Sequence, residues 1–207
     1  MTGQIKRLMR HPRVRAILDS PTLFAAVRFP LIGRQTKTRG LLRHHLAAQP
    51  GERVLDISCG IGEFAGEVDA EYLGIDLNPR FIAAAARRCA HTTGKSFRVM
   101  DALRMNFPNK HFDRSMFVNG LHHFSDEDGR RLLAEVRRVT RERVVIIEPD
   151  STPRGLLHRA LLAADRGDWI RTPETLEQLI ASVLPIRQTV RFVAGLYPEI
   201  LYECGVG

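Results

Sequence analysis

From Gly51 onward the chain alternates short apolar runs with amphipathic stretches, the pattern of a parallel sheet whose strands are joined by crossover helices. Arg53–Ile57 (RVLDI) predicts a buried strand, followed by a glycine loop and a helix from about Glu63. Tyr72–Ile75 predicts a second strand ending at Asp76. The alanine-rich stretch Arg80–Cys89 predicts a helix, with Asn78 as N-cap and Pro79 at its first position. Ser96–Val99 gives a third strand, ending at Met100 and Asp101, and Phe112–Val118 a fourth. Ser125 can cap a helix over Asp126–Thr140, where Asp126 and Glu127 suit the positive end of the helix dipole. Arg143–Ile147 reads as a fifth strand and stops at Glu148-Pro149.

The remaining pattern is less regular. Leu156–Asp165 is helical in spacing with no strand beside it, and Thr172-Pro173-Glu174 opens a further helix carried by Leu176, Leu179, Ile180 and Val183. Two β-type segments follow, near Thr189–Ala194 and Ile200–Cys204. Ahead of the sheet, Ile5, Leu8, Met9, Val14, Ile17 and Leu18 fall near helical spacing but are interrupted by Pro12. A length of 207 residues suits one α/β domain with modest additions. The expected organisation is a basic, partly amphipathic helical arm or cap over residues 1–45 and one α/β domain over residues 46–207.

Composition sharpens this picture at one point. With 44% hydrophobic and 26% charged residues the chain reads as a soluble globular protein. Its net charge of +8 belongs to the arm, where Lys6, Arg7, Arg10, Arg13, Arg15, Arg28, Arg34, Lys37, Arg39 and Arg43 face Asp19 alone. Such an arm is either a solvated or domain-packed cap, or a surface for anionic lipid, nucleic acid or an acidic substrate. No stretch approaches the roughly 20 apolar residues of a membrane span. Cys59, Cys89 and Cys204 have neither disulfide nor metal-site spacing, so a reducing cytoplasm is the expected location and no metal is expected.

The chemistry is concentrated at the strand ends. Asp56-Ile-Ser-Cys-Gly60-Ile-Gly62-Glu-Phe64 follows the first strand, and its glycines let backbone approach a ligand closely. Alone, this loop also satisfies the loose dinucleotide pattern. Asp76 can accept hydrogen bonds from both ribose hydroxyls of a nucleoside, and Asp101 one from an exocyclic adenine amine. Asp56 suits a cationic amino-acid group better than a pyrophosphate. Acids ending three strands make a poor phosphate site and a good one for an adenosyl sulfonium zwitterion.

The segments VLDISCGIGEF, GIDLNP, VMDAL, FDRSMFVNGLHHF and RRVTRERVVIIEP, in this order, resemble the motifs of the class I S-adenosylmethionine (SAM)-dependent methyltransferases, especially the small-molecule branch. The resemblance covers roughly Glu52 to Pro149. It implies a doubly wound seven-stranded sheet, mostly parallel, with the two C-terminal β segments as its antiparallel edge. It also implies S-adenosyl-L-methionine contacts from Asp56, Ser58, Gly60, Gly62, Asp76, Leu77, Asp101, Ala102 and Asn119. Ser58 and Phe64 depart from the pattern, since the family often has glycine at each.

Absent motifs narrow the reaction. After the fourth strand the chain reads Val-Asn119-Gly-Leu-His-His, without the Asn/Asp-Pro-Pro-aromatic signature of exocyclic-amine methylation or the Pro-Cys of covalent pyrimidine methylation. A small acceptor, expected to be lipophilic or aromatic, is the favoured substrate. An RNA methyltransferase tethered by the arm, a non-catalytic SAM-binding module and a nucleotide-sugar or NAD enzyme remain as alternatives. His122 and His123 follow the fourth strand, where an imidazole can take a proton or position the acceptor, although such pairs also simply pack. Residues at about 150–185 lie where the family inserts substrate-covering elements. There Trp169 and Arg171 either line an acceptor pocket, the arginine matching an anionic group, or anchor the loop to the core. The arm from Phe29 to Lys37 is expected to close over the other side of the cleft.

Overall fold

The structure, a computed structural model, describes residues 20, 21, 35–152, 155, 156, 158, 162 and 167–207. The spacing around Pro12 and most of the helix expected at residues 156–165 lie outside the described residues. The seven strands are β1 (Arg53–Ile57), β2 (Glu71–Asp76), β3 (Lys95–Val99), β4 (Phe112–Val118), β5 (Thr140–Pro149), β6 (Ile186–Ala194) and β7 (Tyr197–Gly205). They form one sheet in the order β3-β2-β1-β4-β5-β7-β6. The first five run parallel, so their carboxyl ends line one edge. β7 pairs antiparallel with both β5 and β6, which makes it the antiparallel strand and leaves β6 on the outside.

Alternation along β5 sends Val144 and Ile146 to one face and Val145 and Ile147 to the other, all fully buried. On the first face pack helices α3 (Asp126–Val139) and α4 (Pro173–Ala181), through Leu132, Leu133, Val136, Leu176 and Ile180. Each such side chain contributes roughly 1.5–3 kcal/mol by leaving water. The helix starts obey their caps: Ser125 accepts from the Asp128 amide and Thr172 from the Thr175 amide. Helix α2 (Pro79–Arg88) begins where expected, with the Asn78 side chain accepting from the Arg80 amide.

The second face is covered by α1 (Thr36–Leu46), whose Leu42 and Leu46 meet Val54, Met116, Val145 and Leu201. The charge-based boundary at residue 45 thus falls inside a helix that completes the core. The crossover after β1 also differs from expectation. In place of a helix from Glu63 there is only a 3₁₀ turn, Ala65–Glu67. Residues 58–70 are all that join β1 to β2, and the glycine loop uses the first half of them, leaving no room for several helical turns.

Candidate active site

The carboxyl ends of β1 to β5 form a crevice, the usual ligand position in an open α/β sheet. At its floor Asp56 is only 2% exposed and accepts a hydrogen bond from the Tyr72 hydroxyl at 2.5 Å. Burial pushes the Asp56 carboxyl up to about 7; the Tyr72 hydrogen bond opposes this and the Asp76 charge adds to it. Tyr72, equally buried and facing Asp56, is held well above the ordinary phenol range.

The loop after β1 turns through three left-handed residues, Ser58 (φ 56°), Gly60 (φ 55°) and Gly62 (φ 68°). The two glycines do different things. A Cβ on Gly60 would meet nothing within 4 Å, so this residue borders open space. A Cβ on Gly62 would lie 2.9 Å from the Phe97 ring and 3.0 Å from Ala85 Cβ, so this glycine lets the loop lie down on β3 and α2.

Asp76 braces the loop from the end of β2. Its Oδ2 accepts from the Gly60 amide at 3.0 Å and its Oδ1 from the Asn78 amide at 2.8 Å. Leu77 next to it is 70% exposed, an apolar side chain left uncovered at the crevice. Asp101 is exposed beyond β3, one oxygen accepting from the Leu103 amide at 2.9 Å, with Ala102 buried behind it. Asn119 ends β4 in a left-handed conformation (φ 52°), which asparagine tolerates. Its Nδ2 donates to Glu199 Oε1 at 2.8 Å, while its buried Oδ1 has no hydrogen-bond partner.

On the far side of β4, Glu148 organises the following turn. Its carboxylate accepts from the amides of Gly120 (2.8 Å), Leu121 (2.7 Å) and His122 (3.2 Å) and lies 2.6 Å from His122 Nδ1. His122 is therefore a buried, oriented imidazole, with Gly167 packed against its ring so closely that a Cβ there would overlap Cδ2. His123 is exposed, its ring centroid 4.4 Å from that of His122.

Trp169 is half-exposed, and its amide donates to the His122 carbonyl at 2.9 Å. Arg171 is bonded within the fold. Its guanidinium donates to Asp126 Oδ1 (2.8 Å) and to the carbonyls of Phe124 (2.7 Å), Trp169 (3.1 Å) and Leu121 (3.3 Å). The arginine supplies a donor to the Phe124 and Trp169 carbonyls and a second one to the Leu121 carbonyl, which already accepts from the Phe124 amide at 3.1 Å.

Several residues of this region carried no sequence signal. Arg39, counted with the arm, pairs with Glu67 at 2.6 Å and lies 5.5 Å over the Phe64 ring, so α1 grips the glycine loop. Glu199 on β7 accepts from Thr38 Oγ1 at 3.0 Å as well as from Asn119. Only the folded sheet brings these together.

The donor set fits an adenosyl sulfonium: carboxylates at successive strand ends, an exposed apolar residue beside Asp76, an open glycine, and an unpaired buried acceptor on Asn119. Comparison with known proteins agrees. A family model described as a methyltransferase domain matches residues 54–143. The fatty-acid O-methyltransferase of Mycolicibacterium smegmatis is 36% identical over 121 residues, covering 55% of this chain and 43% of that protein. The demethylmenaquinone methyltransferase of Thermus thermophilus is 33% identical over 149 residues, covering 61% of this chain and 66% of that one. The chain thus spans less than two thirds of either relative. Among solved structures, geranyl diphosphate C-methyltransferase of Streptomyces coelicolor, bound to S-adenosyl-L-homocysteine, superposes with a TM-score of 0.70 at 15% identity, covering 84% of this chain and 79% of that one. Strand order and strand-end acids agree with that match: residues 54–143 form a methyltransferase domain, and the chain is similar to the class I SAM-dependent methyltransferases.

Proposed function

We propose that this chain transfers the methyl group of SAM to a small lipophilic molecule. The observation that carries the cofactor half is the row of acids at the ends of β1, β2 and β3 around an open Gly60. On this reading Asp76 receives the ribose hydroxyls, Leu77 and Ala102 flank the adenine, Asp101 receives its amine, and Ser58, Gly60 and Asn119 border the amino-acid part. Asp56 and Gly62 act from beneath, the first through Tyr72 and the second by seating the loop. SAM supplies an electrophilic methyl group on a sulfonium. The chain supplies alignment, which accounts for most of what such a displacement needs.

Glu148 fixes the turn that carries both histidines. His122 orients and supports, and exposed His123 is the imidazole an acceptor reaches when it must lose a proton. Trp169 offers its half-exposed ring to the acceptor, while Arg171 holds the turn beneath it.

The lipophilic acceptor is supported by the relatives named for a fatty acid and for demethylmenaquinone. It is also supported by exposed Val193 and Leu196, at the β6–β7 turn on the same end of the sheet as the crevice, and by exposed Leu156. With the basic arm, these residues suit peripheral contact with an anionic membrane. No described helix is long and apolar enough to cross one. The unpaired cysteines suit a cytoplasmic location.

Calorimetry of the chain with SAM, S-adenosylhomocysteine and NAD tests the cofactor assignment: the two adenosyl ligands bind and NAD does not. Binding of NAD alone overturns it. Labelled SAM with a lipid extract then tests transfer, and sedimentation with anionic liposomes tests the membrane contact.

A further inference from the structure

We propose that Gln35 joins Asn119 in receiving the α-ammonium group of the cofactor; this rests on the SAM reading above. Gln35 precedes helix α1 with a left-handed φ of 50° and is 4% exposed, yet its Oε1 has no hydrogen-bond partner. The Asn119 Oδ1 is likewise buried without a partner. Glu199 links Asn119 to helix α1. One of its oxygens accepts from Asn119 Nδ2 at 2.8 Å, which turns the Asn119 carbonyl away from the carboxylate, and the other accepts from Thr38 Oγ1 at 3.0 Å. Gln35 stands three residues before Thr38, at the end of helix α1 that reaches Glu199.

Two buried acceptors without donors, one on Asn119 and one at the start of the helix that Glu199 ties to it, are unfavourable in the chain by itself. A primary ammonium answers them: it carries three N–H donors, no acceptor, and a charge that Glu199 attracts. A ligand carboxylate would meet oxygens only. The position agrees with the order of strands. Asp101, Asp76, Gly60 and Asn119 follow β3, β2, β1 and β4 across the sheet, so a cofactor whose adenosine is held by the first two brings its amino-acid end to β4, where α1 lies. Gln35 is a cofactor-binding residue in this account, and the start of helix α1, at the end of the basic arm, contributes to cofactor recognition.

The test uses the full chain and two probes, S-adenosylhomocysteine and 5′-methylthioadenosine, which keeps the adenosyl thioether and lacks the amino-acid group. Gln35→Met retains the side chain's length and removes its carbonyl. The expected result is about tenfold weaker binding of S-adenosylhomocysteine, unchanged binding of methylthioadenosine, and an apo melting temperature that does not fall, because an unpaired polar atom has gone. Equal weakening of both ligands, or no weakening of S-adenosylhomocysteine, overturns the proposal. Gln35→Glu supplies the second variant: it keeps an acceptor and is expected to keep the preference for S-adenosylhomocysteine, and loss of that preference counts against the assignment. If the unaltered chain binds neither nucleoside, the SAM reading itself fails. That result is distinct from a chain that binds both with Gln35 indifferent.

Discussion

Substitution of Asp56 by asparagine isolates the electrostatic burden of the crevice floor. Asp56 is fully enclosed, and burial lifts its carboxyl from 3.8 to about 7 despite the Tyr72 hydroxyl. In the unfolded chain the group ionises near its ordinary value, so between about pH 4 and 7 the folded chain holds a proton that the unfolded chain has released. Stability from this group is therefore greatest below the unfolded value, declines as pH rises through the interval, and levels off above pH 7. Lifting a carboxyl from 3.8 to about 7 makes its ionised form roughly 4 kcal/mol less favourable in the fold. That is a large share of the 5–15 kcal/mol typical of a domain. Asparagine has nearly the same shape, keeps an acceptor for Tyr72 and cannot ionise. Urea unfolding of both chains at half-unit steps from pH 4.5 to 8.5 reads the difference. Asp56→Asn is expected to gain on the parent up to about pH 7, by an amount approaching the figure above, and to hold a constant margin beyond it. Parallel stability curves would refute the account of Asp56 as a proton-holding group. Tyr72→Phe, which removes the donor that holds the Asp56 carboxyl down, is expected to carry the parent's decline to higher pH.

Three further outcomes follow from the geometry. Gly62→Ala forces a left-handed alanine against Phe97 and Ala85 and is expected to cost about 2–4 kcal/mol in urea unfolding, from backbone and packing strain together. Ser58→Gly relieves the left-handed serine at φ 56° and is expected to raise stability by about 1 kcal/mol in the same assay. Glu148→Ala strips the acceptor from three amides and from His122; about 3 kcal/mol or more of stability is expected to go. Hydrogen exchange should quicken at Gly120, Leu121 and His122, and Glu148→Gln should restore only part of that protection.

Local pattern carried most of the sheet. β1 and β4 run over the expected residues because each is a dense apolar run bounded by polar turns, and the caps at Asn78, Ser125 and Thr172 announce their helices. The 3₁₀ turn after β1 escaped because spacing does not reveal how much chain a glycine loop will use. At the site, Asp76 and Asp101 reach the crevice as strand ends should. Asp56, similar on paper, turns inward because its partner Tyr72 comes from the neighbouring strand. Arg171 illustrates a different limit. A charged residue beside a lone tryptophan looks like a ligand contact, but the carbonyls it satisfies belong to Leu121 and Phe124, fifty residues earlier. Gln35, Thr38 and Glu199 had no signal at all, since what matters about them is which distant atoms they meet.

The insertion of β7 between β5 and β6 has a consequence for biosynthesis. Until residues 197–205 have left the ribosome, β5 has an open edge and β6 has nothing to pair with. The Glu199 carboxylate that holds Asn119 waits on the same segment. A nascent chain stalled short of it would expose the edge of β5 along its buried Val144–Ile147 run, so a chaperone that shields strand edges should stay bound until β7 has emerged and paired.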